Sequence, residues 1–207
     1  MKNCRERTAL LVLLTALLLA VTVSACVTGS RGAFGKKNKT ATPFIAPEVK
    51  LTRGKVVREY HIVPNTDFSA YRSFHIPAFQ NYTGTNVPEV VLTSLGQELA
   101  IALGKEGSGR IGVIDRSPAV TSPSNDLMVE AAVVELLQRD DLGTKLTVEG
   151  RLLEAKGGRV LALFRHTEQV YGYSVGFENP PMEAITLVAD HLANFTTKVL
   201  KGEIQNL

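Results

Sequence analysis

Tryptophan is absent from this 207-residue chain, and all aromatic residues together make up only 6% of it. Any local cluster of rings therefore stands out. Cysteine is nearly absent too: Cys4 and Cys26 are the two. Everything beyond residue 26 is thus without thiols, which excludes a disulfide framework and a cysteine nucleophile, and leaves cohesion to a hydrophobic core. No charge of one sign prevails. The chain carries 23 basic and 20 acidic residues, net +3. Residues 1–25 contribute Lys2, Arg5, Arg7 and Glu6, so the remainder has 20 basic and 19 acidic residues, net +1. Nucleic acid is not an expected partner of so balanced a chain. A long hydrophobic run is also missing. Ala9 to Val23 is apolar, but shorter than the roughly 20 residues that cross a bilayer as a helix, and Thr15 and Thr22 interrupt it.

What the first 26 residues do contain is a layout: a basic start, a short apolar run, then small residues. This is the order of a secretory signal peptide, in which the positive start stays in the cytoplasm while the run enters the membrane. Val23-Ser24-Ala25-Cys26 resembles the lipobox of bacterial lipoproteins. That resemblance implies cleavage before Cys26, a diacylglycerol on its sulfur and often a third acyl chain on the new amine. Each buried CH₂ contributes about 0.8 kcal/mol, and one chain holds only marginally, so two or three make a lasting anchor without a transmembrane helix. Val27 follows the cysteine. In the enterobacterial sorting pattern this resembles, aspartate there retains the protein at the inner membrane, so valine implies the outer membrane.

Val27 to Lys50 reads as a tether, loosened by Gly29, Ser30, Gly32 and Gly35 and kept from helix by Pro43 and Pro47. Its basic cluster, Arg31, Lys36, Lys37 and Lys39, either solvates the linker or touches anionic headgroups. The expected organisation is a signal at 1–25, the lipidated cysteine and tether at 26–52, and one domain at 53–207, long enough for one proper core.

Within that domain, Val56 to Val63 and Tyr71 to Phe79 have strand composition. In the second, Phe74, Ile76 and Ala78 fall on one face and Ser73 and His75 on the other. Asn86, Pro88 and Glu89 open a helix. Val91, Leu95, Leu99, Ala102 and Leu103 form its apolar stripe, and Gly104 and Gly107 close it. Ile111 to Ile114 is a short strand. Leu127 to Gln138, Lys145 to Ala155 and Arg159 to Tyr171 are β-type runs separated by Asp140-Asp141-Leu142-Gly143 and Lys156-Gly157-Gly158. In the middle run Leu146, Val148 and Leu152 alternate with Lys145, Thr147, Glu149 and Arg151, one face buried and one wet. A second helix is capped by Asn179, with Pro180 and Pro181 in its first turn, Ile185, Val188, Ala189, Leu192, Phe195 and Val199 on its apolar face and Gly202 at its end. The fold class is α+β: a mixed, largely antiparallel sheet with two helices packed on one face.

No catalytic constellation emerges. Gly96 to Gly104-Lys105 has the wrong spacing for a phosphate loop, and no serine sits in a Gly-x-Ser-x-Gly elbow. His166 and Glu168 share a strand face and could chelate a metal. A third ligand is not evident, Arg165 lies alongside, and a solvated strand face is the reading taken. Asp190-His191 reads as a helix-surface pair, and Asp140-Asp141 as turn chemistry. No catalytic residue, metal site or cofactor is assigned. Tyr171-Gly172-Tyr173-Ser174-Val175-Gly176-Phe177 gathers three aromatics between flexible glycines. Tyr171, Tyr173 and Phe177 either anchor a partner, as rings do at interfaces, or cover the end of the sheet.

The element order, with Tyr71 to Phe79 closing in a Pro-x-Phe pattern and the final helix Pro181 to Leu200, resembles a group of small envelope lipoproteins of α+β fold. That group includes activators of peptidoglycan synthases, the curli secretion lipoprotein and a large uncharacterised lipoprotein family. The resemblance spans roughly residues 55–202. It implies a binding or assembly role; joined to the lipobox and Val27, the expectation is a lipid-anchored protein of the bacterial outer membrane, facing the periplasm and serving as a binding, assembly or regulatory partner of an envelope complex. The resemblance transfers no functional residue, and the short Ser117–Asn125 loop offers no pore-forming hairpin. An envelope hydrolase acting on wall or lipid is the alternative.

The lipobox generates a direct expectation. Cells fed a labelled acyl-chain precursor should label the wild-type protein and not Cys26→Ser; equal labelling of both would overturn the anchor.

Overall fold

The structure is a computed structural model that describes residues 44–71, 73–106, 112–114, 126–139, 143–171 and 182–204. Cys26, the signal, the tether up to residue 43, the Ser117–Asn125 loop, Asp140-Asp141, Tyr173 and Phe177 lie outside the described residues. The elements in chain order are β1 (Thr52–Arg53), β2 (Glu59–Ile62), β3 (Ser73–His75), β4 (Gln80–Asn81), α1 (Glu89–Glu106), β5 (Gly112–Ile114), β6 (Asp126–Arg139), β7 (Gly143–Glu154), β8 (Val160–Val170) and α2 (Met182–Leu200). The fold is α+β, as expected. The described strands form one mixed, mostly antiparallel sheet in the order β1-β2-β8-β7-β6-β3-β5, with β4 alongside β6.

The long antiparallel meander β6-β7-β8 is the frame. Its turns suit its sequence: Gly157 and Gly158 both have positive φ, where only glycine sits without a steric cost. Alternation then sorts side chains. Leu127, Val129, Ala131 and Val133 on β6, Leu146, Val148 and Leu152 on β7, and Ala162 and Phe164 on β8 enter one core with both helices. At Gly150 this inner layer is so close that a Cβ would come within 2.4 Å of the Glu130 carbonyl oxygen and of the Phe164 ring. Glycine there lets Phe164 lie over the strand.

Both helices pack on this inner face. The buried residues of α1 are Val91, Leu95, Leu99, Ala102 and Leu103, the stripe read from spacing alone. Gly104, expected to end the helix, lies within it. α2 buries Ile185, Val188, Ala189, Leu192, Phe195 and Val199 among others. It ends in a Schellman motif: Gly202 has φ +70, its N–H reaches the Val199 carbonyl, and the Glu203 N–H reaches that of Lys198.

Three features go beyond the sequence reading or against it. The first is where the flanking strands go: β2 pairs β8 antiparallel, while β3 runs parallel to both β5 and β6. The second is the strand at Tyr71–Phe79. It stops at His75 and resumes as β4, and the pairing advances seven residues here, Ser73 to Gln80, against six on β6, Asp126 to Ala132. One residue is extra, so alternation slips. Ile76 and Phe79 are both buried and Ala78 is exposed. Pro77, which has no N–H to give to a ladder, sits at the slip.

The third is the sheet's outer face. Phe44 and Ile45, read as tether, are buried there with Ala132 and Leu163, and Val49, Leu51 and Val160 pack around them. Arg151 lies 5.3 Å over the Phe44 ring, and Tyr82 meets that ring edge-on. The polar residues of this face are paired, not simply wet. Arg165 bridges Glu149 (2.5 Å) and Glu59 (2.8 Å), Arg151 holds Glu130 (2.7 Å), and Lys145 holds Glu135 (2.8 Å). Arg165 is thereby held above the usual arginine range, its partners Glu149 and Glu59 outweighing the opposing effect of burial.

A large buried apolar side chain contributes roughly 1.5–3 kcal/mol. Phe44→Ala in a chain begun at Ala41 should therefore lower stability by about 2 kcal/mol in urea unfolding, and a chain begun at Arg53 should lose more. Equal midpoints for chains begun at Ala41 and Arg53 would show that the outer face does not need this cover.

Candidate functional site

Three polar groupings come out of this frame. The first lies between β8 and α2. His166 and Glu168 alternate with Arg165, Thr167 and Gln169, so they belong to the inner face, opposite Val148 and Leu146 of β7. The expectation of a solvated strand face fails on that parity. His166 is 5% exposed. Its Nε2 lies 2.7 Å from Glu168 Oε1. From the helix above, His191 brings Nδ1 to 2.9 Å from the same oxygen, and the two imidazole rings are 4.8 Å apart at 49°. Asp190, its sequence neighbour, is exposed and takes no part. The pair read as Asp190-His191 is thus replaced by a triple, His166, Glu168 and His191. Its third member comes from another element, where residue spacing gives no signal.

Burial pushes the His166 pKa down; the Glu168 carboxylate opposes this, and the charges of His191 and Arg58 add to it. With Glu168 ionised, a neutral His166 places its hydrogen on Nε2 and donates to that carboxylate. His191 Nδ1, although buried and near the same oxygen, forms no hydrogen bond, and neither does His166 Nδ1.

The second grouping ties β3 to β6. Asp126, 3% exposed, receives the Ser73 hydroxyl on Oδ1 and lies 2.9 Å from His75 Nε2 through Oδ2. Serine and histidine both address the carboxylate and not each other. This is the arrangement of a polar clasp within a sheet, not of a nucleophile with its base.

The third fastens the β7-β8 hairpin. The Tyr71 hydroxyl donates to Glu154 Oε1 at 2.7 Å, and Arg159 Nη2 reaches the same oxygen at 2.6 Å. These two donors, Arg159 first, hold Glu154 below the usual carboxylate range. Burial first, and then Glu154, push the Tyr71 phenol up.

One cavity of about 630 Å³ lies near the β1-β2 connection and the end of α2, with Tyr60 and Phe195 among its lining and Arg53, Lys55 and Lys198 adding positive charge. Of the ring-rich segment, Tyr171 is described. It follows β8 and is 75% exposed. Among the described residues, no helix is long and apolar enough to cross a membrane.

No protein-family model and no curated protein matches the chain. Solved structures do resemble it. PelC from Paraburkholderia phytofirmans, a dodecamer, is 16% identical over 64% of this chain and 96% of its own, with a TM-score of 0.44. A protein from Xanthomonas campestris is 15% identical over 70% and 95%, at 0.47. A lipoprotein from Neisseria meningitidis is 13% identical over 59% and 97%, at 0.36. The solved structures of similar fold thus include bacterial lipoproteins, as the sequence resemblance implied. Values this low carry nothing about binding or catalysis.

The Glu154 grouping gives a pH expectation. A carboxyl whose folded pKa is depressed adds stability that is complete above its unfolded value, about 4.3, and is lost as pH falls through the lower folded value. Tyr71→Phe removes one of two donors and should cost about 1 kcal/mol at pH 7. That cost should shrink toward pH 3, as measured by urea unfolding across pH. A cost independent of pH would mean the phenol does not act through Glu154.

Proposed function

We propose that this chain is a lipid-anchored protein of the bacterial outer membrane whose domain faces the periplasm and works by contact, binding or assembling a protein partner of the envelope. The observation that carries the contact reading is Tyr171. A ring 75% exposed stands at the end of β8, where the chain enters the Tyr173–Phe177 stretch. Rings anchor interfaces because they cover much area with few rotatable bonds. The anchor rests on Val23-Ser24-Ala25-Cys26, and the outer membrane on Val27. Phe44 belongs to the sheet, so the stretch read as tether from its composition is shortened to residues 27–43.

A second reading, an envelope hydrolase acting on cell wall or lipid, is favoured by one observation: His166, Glu168 and His191 converge.

The test pairs crosslinking with complementation. A photoreactive residue at Tyr171 should give a discrete protein adduct in cells, and one at exposed Lys156 should not. Changing Tyr171, Tyr173 and Phe177 to Ser should weaken complementation of a deletion, as each lost anchor costs roughly 1–2 kcal/mol, about tenfold in affinity. Full complementation by that triple variant would sink the contact reading. Loss of complementation by Glu168→Gln in a folded protein, with the triple variant active, would put the hydrolase first.

A further inference from the structure

The geometry points to a divalent transition-metal site, with zinc as the fitting ion, formed by His166, Glu168 and His191 between β8 and α2. One ligand atom from each of these residues lies within 4.8 Å of the others. Two imidazole nitrogens, His166 Nε2 at 2.7 Å and His191 Nδ1 at 2.9 Å, lie close to one carboxylate oxygen. Hydrogen bonding accounts for only half of this. His166 donates to Glu168, whereas His191 Nδ1 is buried and has no hydrogen bond. A buried nitrogen left in that state is costly, and a cation between the three groups would engage all of them.

The donor set selects the ion. Calcium and magnesium take oxygen ligands; two imidazoles and a carboxylate suit zinc and its first-row neighbours. Ligand bonds to zinc are about 2.0–2.1 Å, which places tetrahedral ligand atoms roughly 3.3 Å apart. Meeting that spacing takes a withdrawal of the Glu168 oxygen by about half an ångström from each nitrogen and a closer approach of the two imidazole nitrogens, since the ligand atoms are spread over as much as 4.8 Å. The side chains of His166, Glu168 and His191 are 7%, 20% and 38% exposed. The ion would thus be reached from the His191 side, and a fourth position would stay open there for water or for a donor from a partner. Two of the ligands belong to the sheet and one to the last helix, so the ion would staple α2 to β8. Binding would then stabilise the fold, since no such site exists in the unfolded chain.

The experiment uses the chain from Ala41 onward, stripped with chelator and titrated with zinc chloride by calorimetry and thermal unfolding. The expected result is one zinc per chain. At a hundredfold excess over its dissociation constant, Tm should rise by roughly 5–10 °C. His191→Ala, at a half-exposed helix position, and Glu168→Gln should each fold, weaken zinc at least tenfold and abolish the shift. His61→Ala, a histidine on the opposite face of the sheet, should retain both. Equal zinc affinity in the wild type, His191→Ala and Glu168→Gln would overturn the site, as would loss of the Tm shift in His61→Ala or its absence in the wild type.

Discussion

Alternation of side chains along β6, β7 and β8 is the constraint on which the rest of the molecule depends. The period of a strand is two, so between the register shifts at Val133/Glu135 and Leu152/Leu153 the pairing assigns each residue of the meander to one of two environments. Leu146, Val148 and Leu152 meet the helices, while Lys145, Thr147, Glu149 and Arg151 meet the outer ladder. The same parity sends His166 and Glu168 inward beneath α2 and Arg165 outward between Glu59 and Glu149. A slip of one residue would exchange these fates, bury the arginines and strip the core.

The outer face shows how a charged sheet surface can be both satisfied and covered. Its acids and bases alternate across strands, so each carboxylate finds a cation on the neighbouring strand. Glu149 is 2% exposed and Arg165 lies against it. Two charges removed from water need such partners, since either alone would be strongly unfavourable. Phe44 and Ile45 then seal the apolar gaps left by Ala132 and Leu163. The start of the domain is thus set by two apolar residues in a segment whose composition otherwise reads as linker.

Much of this was legible. Both helical stripes, the three meander strands, the glycine turns and the Gly202 cap follow from local rules: spacing of 3–4, alternation of two, positive φ at glycine. Ile76 and Phe79 escaped those rules because an extra residue at Pro77 breaks the alternation. His166 and Glu168 were readable as a shared face. That it is the inner face was readable too, for Ala162 and Phe164 have the same parity. His191 was not, since its approach depends on the angle at which α2 crosses β8.

The sequence by itself determined the likeness of Val23 to Cys26 to a lipobox, the α+β class and the absence of thiols beyond residue 26, because each depends on residue identity and near neighbours. Only the tertiary structure decided that β3 lies beside β6 and β2 beside β8, that Phe44 closes the outer face, and that two imidazoles and a carboxylate meet. Those outcomes join residues far apart in the chain, 106 positions in the Arg165–Glu59 pair. They are set by how the layers close on one core, which no local pattern encodes.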